Sequence, residues 1–152
     1  MFSSVLTVCT GNICRSPLAE YLLRSRLEEA AVKVSSAGIQ ALVDQPADAL
    51  AQEIAQTHGL DLSPHLGQLV EKAILEEHEL ILVMEDHHRD YLRSRFPQVS
   101  GKVFLLGKWE EEMQIPDPYK RSPEFFKIVY SQIDRSVTQW VDRINGAHRY
   151  AS

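Results

Sequence analysis

The sequence predicts an α/β fold in a single domain, a four-stranded parallel sheet with helices on both faces. Three observations carry this. Leu80-Ile81-Leu82-Val83-Met84 is an unbroken apolar run, the mark of a strand buried on both faces. Shorter strand-like runs at residues 5–8, 32–36 and 102–106 are separated from it and from one another by helix-periodic stretches, and such alternation implies parallel strands joined by crossovers. A chain of 152 residues, 44% hydrophobic and 24% charged, has the length and composition for one sizeable core.

The elements follow in order. Val5-Leu6-Thr7-Val8 reads as strand one. Residues 17–31 read as helix one, because Leu18, Tyr21 and Leu22 recur at helical spacing. Ser16 suits its N-cap and Pro17 its first turn. Residues 32–36 alternate and end at Ala37-Gly38, giving strand two. Residues 39–46 form an irregular loop. Residues 47–58 are helical, with Leu50, Ala51 and Ile54 on one face and Gly59 as the stop. A connector, residues 60–68, holds Pro64 and His65, and residues 69–76 form a short helix. After strand three, Glu85 and Asp86 favour the N-terminus of a helix over residues 86–96. Strand four leads into a long loop, residues 107–123. Phe126, Val129, Ile133, Val137, Trp140 and Ile144 then step by three or four, which is a long amphipathic helix.

Composition narrows the function. A net charge of −5 argues against nucleic acid as a partner. No apolar run approaches membrane-spanning length and no signal-peptide pattern opens the sequence, so neither stable membrane insertion nor export is expected, and the expected compartment is the cytosol. The two cysteines, Cys9 and Cys14, lie in one loop with no further cysteine to complete a ligand set, so neither metal nor cofactor is expected.

The chemistry concentrates in Cys9-Thr10-Gly11-Asn12-Ile13-Cys14-Arg15-Ser16-Pro17, between strand one and helix one. Gly11 and Asn12 are the residue types that most readily take the positive φ of a tight loop. Such a loop turns successive N–H groups, those of residues 10–16, onto one point, and the positive end of the helix aims there too. Cys9 sits at the floor of this nest. The N–H groups, the helix terminus, Arg15 and the Ser16 hydroxyl all favour its thiolate over its thiol. Arg15 lies six residues further on, and its planar fork can hold two oxygens of one phosphate. A cysteine, a ring of donors and an arginine converging on one dianion make a site for covalent phosphoryl transfer. The plainer alternative is a buried cysteine with a solvated arginine, and the accompanying Gly11, Asn12, Ser16 and Pro17 weigh against it.

Attack by Cys9 on a phosphate ester requires a proton donor for the leaving group. Asp117, between Pro116 and Pro118, sits on a stiffened loop. A carboxyl beside a phosphate dianion holds its proton more tightly, which suits a general acid. A plain turn aspartate explains the same residues equally well.

Cys9–Pro17 resembles the signature loop of the low-molecular-weight protein tyrosine phosphatases. The resemblance extends through Ser36-Ala37-Gly38, Met84-Glu85 and Ile115-Pro116-Asp117-Pro118-Tyr119, so it spans nearly the whole chain. Gly107-Lys108-Trp109 and the acidic residues after it are similar to the bacterial branch associated with exopolysaccharide and capsule export. The resemblance implies the strand order 2-1-3-4 and a metal-independent phosphatase. In it Cys9 is the nucleophile, Arg15 the phosphate clamp and Asp117 the acid that later serves as base. It implies that Asn12 is held by Ser36 and His65, where a surface histidine is the alternative. It also implies a reversible Cys9–Cys14 disulfide, whereas Cys14 as a small packing residue is the plainer reading. Leu42 and Tyr119 are candidates for the walls of a phosphotyrosine slot, and Thr10 for its floor. The implied substrate is a phosphotyrosine protein, with the tyrosine-rich tail of a bacterial autokinase as the candidate.

Other readings place different chemistry on this scaffold. An arsenate reductase needs further cysteines to relay a disulfide, and none follows Cys14. A phosphocysteine carrier needs no general acid, so Asp117 separates it from a phosphatase. His87 and His88 beside Glu85 and Asp86 invite a metal, but adjacent helical residues do not face one side. A solvated helix start is expected there, and a solvated loop at Glu110–Glu112.

Overall fold

In the computed structural model, which describes residues 2–27 and 31–151, four strands form one parallel sheet in the order β2-β1-β3-β4. The strands are β1 (Ser4–Cys9), β2 (Lys33–Gly38), β3 (Leu80–Val83) and β4 (Val103–Leu105). The helices are α1 (Arg15–Arg26), α2 (Ala49–Thr57), α3 (Lys72–Glu77), α4 (Asp86–Arg95) and α5 (Pro123–Ala151). Both the fold class and the strand order match expectation.

Alternation along β1 explains the two-sided packing. Val5 and Cys9 face one core with Leu18, Leu22 and Leu23 of α1, Ala51 and Ile54 of α2, and Phe126, Ile133 and Trp140 of α5. Leu6 and Val8 face the other, with Leu75 of α3, Leu92 of α4 and Val99. A strand buried on both faces has no solvent face to specify, so β3 shows no polar alternation. All six apolar residues marking the last helix are buried.

Several boundaries differ from expectation. Helix α1 stops at Arg26 with Leu27 as its C-cap, and residues 28–30 of the expected helix lie outside the described residues. The short helix starts at Lys72, because Leu69 is drawn into a bridge beside Gly38. The start of the expected strand four is replaced by a 3₁₀ helix, Pro97–Lys102. Asp48 rather than Ala47 opens α2, its side chain accepting from Leu50 N–H at 2.9 Å. Gly59 does end that helix region, at φ 76°. Glu111 is exposed, but Glu110, also expected to be solvated, is held by Arg135 at 3.0 and 3.1 Å.

From the C-terminal ends of the neighbouring strands β1 and β3 the chain crosses in opposite directions, from β1 to β2 on one side and from β3 to β4 on the other. Such a switch point leaves a crevice beyond the strand. Cys9 is the last residue of β1. No helix among the described residues is long and apolar enough to cross a membrane.

Candidate active site

The loop after β1 is held from outside. Cys9 O accepts from Ile39 N–H at 3.0 Å, Thr10 O from Gln40 at 2.9 Å, Gly11 O from Leu42 at 3.0 Å and Ile13 O from Asp48 at 2.8 Å. Asn12 O meets His65 Nε2 at 2.6 Å. Five successive carbonyls are therefore tied outward. The backbone N–H groups of Thr10, Gly11, Asn12, Ile13 and Cys14 donate to no protein acceptor among the described residues. A peptide whose oxygen points out has its N–H pointing in, so the tethering shapes an anion nest.

Close backbone approach makes the tethers possible. A Cβ on Gly38 would lie 2.5 Å from Thr10 O, and one on Gly67 would lie 2.3 Å from Leu42 O. Glycine is required at both positions for lack of space. Gly11, by contrast, does not take the expected positive φ; Asn12 alone in the loop does, at 57°. Its side chain then locks the turn. Nδ2 donates to Ser16 Oγ at 2.8 Å and Ser36 Oγ at 2.9 Å, while Oδ1 accepts from Gln68 N–H at 2.9 Å. Glu20, which sequence reasoning missed, accepts from Ser36 Oγ at 2.5 Å and lies 3.9 Å from His65 Nδ1. It follows Ser16 by one helical turn, a spacing that shares a face.

Ser16 is not the N-cap. The helix starts two residues earlier than expected, at Arg15, with Cys14 at the N-cap and no side-chain cap bond. Ser16 is fully buried, and its Oγ lies 2.9 Å from Cys9 Sγ. Pro17 falls in the first turn, where its missing N–H costs nothing.

Arg15 is the largest fully buried side chain, 1% exposed. Its Nη1 donates to the Glu85 carboxylate and to Ile115 O at 2.8 Å, and Asp117 Oδ2 lies 3.7 Å from Nη2. Nε is buried without a partner. One edge of the guanidinium is thus spent on the protein, and the Nε–Nη2 edge remains for two oxygens of one ligand. Asp117 Oδ1 accepts from Tyr119 N–H at 3.0 Å, an Asx turn that fixes the carboxyl between its prolines. Cys9, Thr10, Gly11, Ile13, Cys14, Arg15, Gln40, Leu42, Asp117 and Tyr119 together line one pocket of about 380 Å³. Leu42 and Tyr119 stand at its rim, 45% and 37% exposed.

Cys9 and Cys14 are free thiols. Burial, then the charge of Asp48, pushes the Cys14 thiol far up, so it stays protonated at neutral pH.

The expected solvated start of α4 is wrong for His88, which is fully buried. Its Nδ1 accepts from Glu85 N–H at 3.1 Å, and its Nε2 lies 2.9 Å from Thr10 Oγ1. Glu85, His87 and His88 bring ligand-type atoms within 4.8 Å of one another. Both nitrogens of His88 and the Glu85 carboxylate are already engaged, so this set is not offered to a cation. Burial, then Arg15 and His87, pushes His88 down to about 3. Unfolded, it takes up a proton below about 6.5; folded, it does not until about 3. Stability is therefore lost as pH falls through that window. Between about pH 6.5 and 4.5, wild type should lose on the order of 2–3 kcal/mol more than His88→Gln in urea unfolding. Equal losses would show that His88 is readily protonated in the fold.

A family model described as low molecular weight phosphotyrosine protein phosphatase matches residues 4–149. The chain is 44% identical over 144 residues to the low molecular weight protein-tyrosine-phosphatase Etp of Escherichia coli K12, covering 95% of this chain and 96% of that protein. It is 41% identical to the tyrosine phosphatase Wzb from Escherichia coli K30 in complex with sulphate, with a TM-score of 0.91 over 95% of this chain and 99% of that one. For Vibrio vulnificus Wzb in complex with benzylphosphonate the identity is 39% and the TM-score 0.90, over 94% and 99% of the two chains.

Proposed function

Because the chain belongs to the low molecular weight phosphotyrosine protein phosphatase family and is a protein-tyrosine-phosphatase, we propose that it hydrolyses phosphotyrosine through a phosphocysteine on Cys9. The observation that carries this is the ring of inward N–H groups from Thr10 to Cys14, closed by the unpartnered Nε of Arg15, around the Cys9 sulfur. Each donor is fixed before a ligand arrives, so charge developing on the phosphoryl oxygens meets dipoles that need no reorganisation.

The Cys9 thiolate attacks phosphorus, an S–P bond forms, and the P–O bond to the tyrosine ring breaks. Asp117 gives its proton to the departing phenolate. Its carboxylate then takes a proton from water, the water oxygen attacks phosphorus, and the S–P bond breaks to release phosphate and restore the thiolate. Ser16 Oγ, 2.9 Å from the sulfur, stabilises the anion in both its appearances.

An aromatic phosphoester suits the pocket. Tyr119 and Leu42 can flank a ring whose phosphate reaches the nest. Benzylphosphonate, held by a relative, has the same aryl-plus-oxyanion form. The two free thiols suit a reducing compartment, the cytosol. The tyrosine-rich tail of a bacterial autokinase is the proposed physiological substrate, since it presents phosphotyrosine on an extended chain able to enter the slot.

A carrier would need no acid beside its nest, and the carboxyl of Asp117 lies near Arg15 in the same pocket. Asp117→Asn should lower kcat for phenyl phosphate about 10²–10⁴-fold. It should lower kcat far less for a nitrophenyl ester, whose leaving group needs little protonation. Equal effects on both esters would remove Asp117 from the acid role.

A further inference from the structure

The first turn of α4 reaches both ends of the phosphate loop. The Glu85 carboxylate holds Arg15 at the end of the loop, and His88 meets Thr10 at its start. The direction of the second bond is decided by Glu85, the N-cap of α4. Glu85 N–H points at Nδ1 of His88, so Nδ1 is the acceptor and the proton of the neutral ring resides on Nε2. Nε2–H therefore donates to Thr10 Oγ1. The hydroxyl oxygen is occupied as acceptor, and the proton of Thr10 has no protein acceptor among the described residues. Thr10 lines the pocket above Cys9.

We propose that His88 is a positioning residue, and that its Nε2–H turns the Thr10 hydroxyl so that it offers a side-chain hydrogen bond to the phosphoryl oxygens beside the ring of backbone N–H groups. This rests on the phosphatase reading and adds to it a donor that the backbone cannot supply. The arrangement suits a histidine that is neutral near pH 7. A protonated ring would lose the bond from Glu85 N–H, and burial, Arg15 and His87 all oppose protonation. Of the charged and titratable groups around the ring, Arg15 and Glu85 are already paired with each other, and His87 is exposed on the outer face of the same turn. A merely packed histidine would not need both nitrogens engaged, since an apolar side chain would fill its place at less desolvation cost.

Four variants test the assignment, with inhibition by orthovanadate and turnover of an aryl phosphate read on each. Thr10→Val deletes the donor and should raise the vanadate Ki about tenfold, the size expected for one hydrogen bond to an anion. His88→Asn keeps the acceptor near Glu85 N–H but is too short to reach Thr10, and should match Thr10→Val. His88→Gln places an N–H where Nε2 was and should recover most of the affinity. The double variant Thr10→Val, His88→Asn should be no weaker than either single one, because both remove the same bond. Independent, additive losses, or a wild-type Ki in Thr10→Val with turnover intact, would overturn the proposal. Absence of aryl phosphate turnover in the wild type would instead overturn the phosphatase reading.

Discussion

Cys9→Ser is expected to abolish steady turnover of an aryl phosphate, by about 10⁴-fold or more, while leaving oxyanion binding in place. Cys9 is 2% exposed, at the floor of the loop, and its Sγ lies 2.9 Å from Ser16 Oγ. A serine oxygen fits there and can keep that contact. What it lacks is an accessible anion, since a hydroxyl does not ionise at neutral pH as a thiol can. The donors that would hold phosphate belong to the backbone of Thr10 to Cys14 and to Arg15, and the substitution does not touch them. Vanadate and phosphate should therefore still raise the melting temperature of Cys9→Ser, by mass action on the folded state. Turnover retained at more than a hundredth of wild type would exclude covalent catalysis by Cys9. Loss of oxyanion protection would show instead that the nest depends on the sulfur.

Arg15→Lys is expected to lower kcat/KM about 10³-fold although the charge is kept. The guanidinium serves two masters at once. Nη1 is committed to Glu85 and Ile115 O, which leaves the Nε–Nη2 edge for the ligand. An ammonium is one point with three donors and no second edge. Turned to Glu85, it deserts the phosphate; turned to the phosphate, it leaves Glu85 without its cation and Ile115 O unsatisfied. Loss of a preorganised transition-state donor is worth about 10²–10³ in rate, and the bidentate geometry adds to it. Phosphate and vanadate should also inhibit more weakly, and the stability loss should be about 1–3 kcal/mol from the broken bond to Ile115 O and the weakened pair with Glu85. A kinetic profile within tenfold of wild type would show that charge alone suffices at this position.

Legibility in the sequence followed locality. The run Cys9–Pro17 could be read as a phosphate loop because strand, turn residues and helix are contiguous, and the amide directions follow from that order. Asp117 was visible through its flanking prolines and through resemblance, and the structure brings it to Arg15 across the pocket. His65 was legible only through resemblance, since a lone histidine in a connector says nothing of the carbonyl at Asn12 that it meets. Local rules make Ser16 a helix cap, because caps are local. A buried polar cluster of Cys9 and Asn12 drew its hydroxyl inward instead. The burial of His88 escapes local reading for a related reason. Helical geometry places adjacent histidines on different faces, which argued correctly against chelation by the pair but said nothing about where one face points. A usable signal existed: β3 neighbours β1, so residues just after β3 must lie beside the loop just after β1.

By itself, the sequence determined the alternation of strands and helices, the two-sided burial of β3 and the chemical identity of the loop at the end of β1. Period, run length and residue type at contiguous positions suffice for each of these. The tertiary structure alone decided which glycines the loop requires, that five carbonyls are tied outward so that their amides face in, and that one turn of α4 grips both loop ends. These depend on the parallel sheet setting chain segments far apart in sequence within a few ångströms, where desolvation leaves each polar atom either paired or directed at a ligand.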